Sequence, residues 1–161
     1  MIRYPLMFTF KDAISGNGFL AGVTLSGRAL MVNEDGEWWV QGVRPAAIAE
    51  TGQTPQEAYL RFRNRYKEVL FDIAGDCADF EAFKGEVERF FNEPHIEEER
   101  RWNDAVADLR SGKVTPEPPF TDLPREQPEM RPTQIFVDRL DKSDRDFAAI
   151  DNVPDMYVAA A

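Results

Sequence analysis

The stretch TGQTPQEAYLRFRNRYKEVLF, residues 51–71, announces a helix by its chemistry. Thr54 fits the N-cap, Pro55 takes the first helical position, where a missing N–H costs nothing, and Glu57 completes a capping box. On a helical wheel, Ala58, Tyr59, Phe62, Tyr66, Val69, Leu70 and Ile73 fall within one third of the circumference, so the helix has one apolar stripe that must pack on something. Arg61 and Arg65 flank that stripe on one side, Arg63 borders the other, and Lys67 lies farther out. Cations so placed cover a sheet margin with their methylene stems and keep their charge in water. The alternative is a cationic patch for an acidic segment, either the chain's own second half or a partner's.

The surface for the stripe lies upstream. In residues 3–10, Tyr4, Leu6, Phe8 and Phe10 alternate with Arg3, Pro5, Met7 and Thr9, the period of a half-buried strand. Pro5 marks an edge strand, because it has no N–H for a ladder. Residues 11–18, KDAISGNG, read as a loop. Three further strand-like runs cover residues 19–25, 28–33 and 37–43, separated by Ser26-Gly27 and by Glu34-Asp35-Gly36, both with hairpin chemistry. The adjacent Trp38 and Trp39 must point to opposite faces of their strand. The simpler expectation covers both within the monomer; the alternative leaves one to a partner.

Downstream the composition changes. Asp79 can cap a helix running to about Asn92, with Phe80, Phe83, Val87, Phe90 and Phe91 on a packing face. After Pro94 a third helix, residues 96–110, carries Glu97 four residues before Arg101. Only Trp102, Ala105, Val106 and Leu109 give it an apolar face, which predicts a largely solvated helix. Residues 114–132 contain six prolines in nineteen positions, which predicts an extended or partly disordered tether. Residues 133–141, TQIFVDRLD, return to a strand pattern that can dock on the sheet or on a second subunit. The last segment carries Phe147, Ile150, Val153, Met156 and Tyr157 among acids.

A chain of 161 residues can bury roughly 70% of its unfolded surface, enough for a real core. Residues 1–75 hold eight acids and eight bases, and residues 76–161 hold twenty-one acids and eleven bases, so the whole net charge of -10 lies in the second half. That field disfavours nucleic acid there and favours a basic partner. With Cys77 as the single cysteine, neither an intrachain disulfide nor a Cys-X-X-Cys pair can form, which suits a reducing cytoplasm. No run has the length of a membrane span, and the first ten residues are too alternating for a signal peptide, so the expectation is a soluble cytoplasmic protein.

No catalytic motif stands out. His95, the one histidine, has no nucleophile elbow near it, and Glu97, Glu98 and Glu99 point around their helix instead of converging. Asp138, Asp141, Asp144 and Asp146 lack the spacing of a calcium loop. Gly16, Gly18, Gly22 and Gly27 are not followed by the Gly-Lys-Ser/Thr of a phosphate loop. No cofactor or metal is expected from these patterns.

Within residues 33–70, Asp35-Gly36, Pro45, Gly52-Gln53-Thr54 and Glu57-Ala58 occupy the places of a turn, a Pro-containing segment, a Gly-polar-Thr step and a helix start. This pattern resembles the HicB-like antitoxin domain. The resemblance implies a small antiparallel sheet with a helix across one face, like a reduced ribonuclease H fold, with residues 133–141 as a closing strand. It also implies that the protein binds and neutralises a small basic RNA-cleaving toxin. The family's Pro-Gly-Cys-like step is here Pro45-Ala46-Ala47-Ile48, and residues 76–132 have no counterpart. The acidic C-terminal part lacks a recognition helix, so DNA binding is not carried over.

The expectation is therefore an α+β protein: an antiparallel meander covered by one long helix (residues 1–75), an acidic helical extension (76–113), a Pro-rich linker (114–132) and a C-terminal strand and tail (133–161). Its leading function is partner binding through Trp38 or Trp39, Arg61, Arg65, Asp138 and Asp141. Two other readings stand beside it. One is a metal-dependent hydrolase in which Glu50 or Glu57 converges with Asp138 or Asp141; the other is a homodimer bridged by the tether.

Overall fold

Alternating apolar side chains build two long strands at the start of the chain. In the computed structural model, which describes residues 2–142 and 156–160, β1 (Arg3–Gly16) and β2 (Phe19–Glu34) pair antiparallel from Arg3 opposite Val32 to Gly16 opposite Phe19. The loop expected over residues 11–18 is thus strand as far as Gly16, because Ile14 continues the inward alternation and is fully buried. The turn is Asn17-Gly18, with Gly18 at φ +78°.

The hairpin expected at Ser26-Gly27 does not form either; β2 runs straight through it. A Cβ on Gly27 would lie 2.5 Å from the Arg44 carbonyl oxygen and 2.7 Å from the Phe8 ring. Gly27 therefore permits close packing where the sequence pattern suggests a turn. It also divides the second edge of β2. Ala21–Ser26 pair with β6 (Gln134–Arg139), and Arg28–Glu34 pair with β3 (Glu37–Arg44). The expected hairpin at residues 34–36 is present: Asp35 and Gly36 both have positive φ, at 53° and 84°, as a tight two-residue turn requires.

After Arg44-Pro45 a short strand that sequence patterning missed, β4 (Ala49–Gly52), joins the far side of β3. Gly42 admits the intervening turn, since its N–H donates to the Ile48 carbonyl at 2.8 Å and a Cβ there would meet the Pro45 carbonyl oxygen at 2.0 Å. The sheet closes with β7 (Met156–Ala159) on β1 and β5 (Arg125–Glu126) parallel to β7, giving the order β4-β3-β2-β1-β7-β5 with β6 beside β2. β1 is not an edge strand, then. Pro5 is tolerated because it lies just outside the three-residue ladder, Leu6 to Phe8, that β1 makes with β7.

One face of the sheet receives α1 (Pro55–Asp76) and α2 (Phe80–Asn92). Thr54 accepts from the Glu57 N–H at 3.1 Å, and the Glu57 carboxylate reaches back to the Gln53 N–H at 3.0 Å, one residue earlier than in the usual capping box. Asp79 caps α2 through the Ala82 N–H at 2.9 Å. Phe8 and Phe10 meet Phe62 and Tyr66 edge-on, and Phe19 packs on Phe83, so aromatic rings dominate this core.

The other face is covered too, by a third helix that is solvated along most of its length, as expected, and buries only its narrow apolar stripe. α3 (Ile96–Arg110) buries Trp102, Ala105 and Val106 against Met7, Leu30, Val43 and Tyr157. Trp102 is only 1% exposed, and its indole N–H donates to the Leu6 carbonyl at 3.1 Å. The Pro-rich stretch is likewise packed, contrary to the tether expected over residues 114–132. Phe120 stacks on Tyr4 with ring centroids 3.9 Å apart, and Arg131 pairs with Glu126 and lies over the Tyr157 ring at 3.7 Å. Proline here fixes irregular backbone against the sheet instead of keeping it away.

The result is a mixed α+β fold: the described residues form a seven-stranded and mostly antiparallel sheet between two helices on one face and one on the other. Among the described residues no helix is long and apolar enough to cross a membrane.

Candidate functional site

The two adjacent tryptophans take opposite faces, as the strand period requires. Trp38 packs on the main core beside Phe120, with ring centroids 5.7 Å apart. Trp39 is 41% exposed, which corrects the expectation that both are covered. It sits on the outer hairpin of the sheet, opposite Val32 of β2 and Thr51 of β4. Glu98 and Glu99, from the acidic first turn of α3, reach Gln41 and Arg44 farther along the same strand at 3.3 and 2.9 Å.

The cations of α1 have local tasks. Arg61 pairs with Glu57 at 2.5 Å and donates to the Thr51 carbonyl at 3.1 Å. Arg65 pairs with Glu50 of β4 at 2.8 Å and with Glu68 at 3.3 Å. Both side chains therefore staple the four-residue edge strand to the helix, and the reading in which they hold the acidic C-terminal part is replaced by this one. Arg63 reaches the Thr9 carbonyl at 2.6 Å and Lys67 reaches Asp12 at 3.1 Å, tying the helix to β1.

Asp138 and Asp141 lie at the far end of the molecule from Trp39. Asp138 is opposite Gly22 on β2 and Trp39 is opposite Val32, ten residues along one strand (32 − 22), or roughly 33 Å at the usual rise. Asp141 is paired with Arg139 at 3.0 Å, and that hydrogen bond holds its carboxyl below the ordinary range. The six candidate residues thus form no single surface.

The acids of the hydrolase reading are not brought together. Glu50 neighbours Val40, which is opposite Met31, nine residues along β2 from the partner of Asp138 (31 − 22), or roughly 30 Å. Among the described residues no three His, Cys, Asp or Glu side chains converge in a way that could hold a metal ion. Asp144 and Asp146 lie outside the described residues, as do Phe147, Ile150 and Val153. His95 precedes α3 without a side-chain capping bond.

Motif reading passed over one recess among the described residues. Two adjoining clefts, of about 240 and 660 Å³, open where β2, α3 and the residues before β6 meet, and both are lined by Arg28, Trp102 and Asn103. Arg28 is the only charged residue inside β2 before its terminal Glu34. Its guanidinium lies over the Trp102 ring, 4.3 Å from the centroid, and its Nε is buried with no hydrogen-bond partner among the described residues. Across the ladder stands another cation, Arg44, whose charge is matched by Glu99 at 2.9 Å. Burial first, and the Arg44 charge second, push the Arg28 guanidinium below its ordinary value, yet an arginine stays charged near neutral pH. The signal in the sequence was a lone arginine in the middle of an apolar strand.

The fold and this geometry define a sandwich-like α+β protein with an exposed tryptophan next to the edge strand and a cation-lined cleft. No family model, no curated protein and no solved structure matches the chain.

Proposed function

We propose that the protein is a non-enzymatic binding module that grips a basic protein at the outer hairpin formed by β3 and β4, with Trp39 as the aromatic anchor. The observation that carries this reading is the exposure of Trp39, at 41%, while Trp38 and Trp102 of the same molecule are covered. Phe136 and Leu20 of the same sheet are about as exposed, but an indole left in water is what interface hot spots are most often made from. Glu98 at the acidic start of α3, bonded to the neutral Gln41 of β3, supplies charge complementary to a cationic partner and would speed the encounter. The HicB-like resemblance of residues 33–70, which includes this hairpin, gives the partner a form: a small basic RNA-cleaving protein held inactive by occupation of its surface.

Affinity capture from the native cell, at low and moderate salt, tests the reading when wild type and Trp39→Ala are run side by side. A stoichiometric small basic protein captured by wild type and lost with Trp39→Ala is the expected result. Recovery of the wild-type chain alone at both salt concentrations would overturn it. A partner retained equally by the variant would move the contact away from this hairpin.

A further inference from the structure

We infer that the cleft between Arg28 and α3 is a binding site for a small organic oxyanion, a phosphate ester or a carboxylate. The inference is independent of the Trp39 surface, since Trp39 does not line either cleft. Three guanidinium groups, those of Arg28, Arg44 and Arg110, border the joined clefts against two carboxylates, Glu99 and Glu129. Each carboxylate already has its cation: Glu99 with Arg44 at 2.9 Å and Glu129 with Arg110 at 3.3 Å. Arg28 is left over. No ion-pair partner for it is found among the described residues; Glu99 and Glu129 act on it only from a distance while paired with Arg44 and Arg110, so three cations share two carboxylates and this corner of a protein with a net charge of -10 stays cationic.

That arrangement is costly without a ligand. Two like charges directly opposite on neighbouring strands are destabilising, and a buried N–H without an acceptor adds a desolvation penalty. An oxyanion beside the guanidinium supplies the missing charge, and the planar fork of arginine suits phosphate and carboxylate alike. The Trp102 ring fixes the plane of the fork from one side. Asn103 and Thr133 add neutral polar groups to the wall.

The second cleft says what the rest of the ligand is. Beyond Arg28 its walls include Val106, Ala107 and Pro128, an apolar strip that ends at the Arg110–Glu129 pair. A ligand with its anionic head on Arg28 and a flat apolar body along this strip fits both recesses. Inorganic phosphate satisfies only the first.

The test is a titration of the full chain with phenyl phosphate, benzoate, inorganic phosphate and the neutral benzyl alcohol, followed at the Trp102 indole N–H by NMR and by calorimetry. Saturable binding of phenyl phosphate or benzoate, weaker binding of inorganic phosphate and no response to benzyl alcohol are expected. The stronger of the two aromatic anions then identifies the head group. Arg28→Gln should weaken binding by about tenfold or more, equal to about 1.4 kcal/mol, and Arg28→Lys should restore part of it. Should Arg28→Gln fail to fold, Arg110→Gln at the cleft mouth should still weaken binding of the same probe, while Arg65→Gln on the opposite face leaves it unchanged. Absence of saturable binding to both aromatic anions, an equal response to benzyl alcohol, or unchanged affinity in a folded Arg28→Gln would overturn the site.

Discussion

The Trp102 indole N–H donates to the Leu6 carbonyl at 3.1 Å, joining the middle of α3 to a central strand across 96 positions of sequence. This one bond and the ring around it fasten the second helical layer. Truncation of the ring leaves a large cavity, so Trp102→Ala should cost about 3–5 kcal/mol. Trp102→Phe keeps most of the volume and leaves the carbonyl without that donor, for about 1–3 kcal/mol. Urea denaturation of the two variants measures both; an unaffected Trp102→Ala would mean that α3 is not docked.

Phe120 gives the matching test for the Pro-rich stretch. It is buried to 1% exposure between Tyr4 and Trp38. Phe120→Ala should destabilise by about 3–5 kcal/mol and open residues 114–132 to limited proteolysis. A tether would lose nothing on the same change.

Glycines separate packing from mere position. Gly27→Ala places a methyl group 2.5 Å from the Arg44 carbonyl oxygen and should cost about 1–3 kcal/mol through forced displacement. Gly85, inside α2, has nothing within 4 Å of a new Cβ, so Gly85→Ala should stabilise by about 0.5–1 kcal/mol. Melting curves of the pair should move in opposite directions.

The Tyr66 hydroxyl is buried in the main core with no hydrogen-bond partner among the described residues, and burial pushes its pKa strongly upward. Removing a polar atom that no neighbour satisfies should not destabilise: Tyr66→Phe should be neutral or more stable by about 1 kcal/mol. A large loss in chemical denaturation would show that the hydroxyl has a partner.

Acid should weaken the fold through surface pairs. Hydrogen bonds from Arg89, Arg100 and Arg139 hold the carboxyls of Glu86, Glu97 and Asp141 below their usual range. A lowered folded-state pKa contributes stability above the unfolded value, near about 4, and that contribution is lost as pH falls through the folded value. Urea midpoints should therefore drop on acidification below about pH 4, and less so in high salt, because these pairs are exposed and screened. An unchanged midpoint would show that the pairs do not contribute.

The chain's local chemistry was legible wherever a few neighbouring residues decide the outcome. Thr54-Pro55-Gln56-Glu57 gave α1 its start, Asp79 gave α2 its cap, Asp35-Gly36 gave the tight turn, and the alternation in residues 3–10 gave β1 its inward face. The strand at residues 134–139 and the opposed faces of Trp38 and Trp39 follow from the period of two. Where several patterns agree locally, the α+β class follows as well.

What the sequence could not show were effects that depend on distant partners. Gly27 has turn chemistry, but Phe8 and Arg44 close on it from two directions and keep it in a strand. Trp102, Ala105 and Val106 give α3 only a narrow stripe, which is buried because Met7, Leu30, Val43 and Tyr157 make that side of the sheet apolar. Phe120 finds Tyr4 from 116 positions away (120 − 4), so prolines that suggest a tether end up framing a docked ring. The same holds for function: Arg28 is an ordinary strand residue until the fold sets Arg44 opposite it and Trp102 beneath it. Capping, turns and periodicity are short-range and written in order along the chain, whereas packing and charge balance exist only between residues that folding brings together.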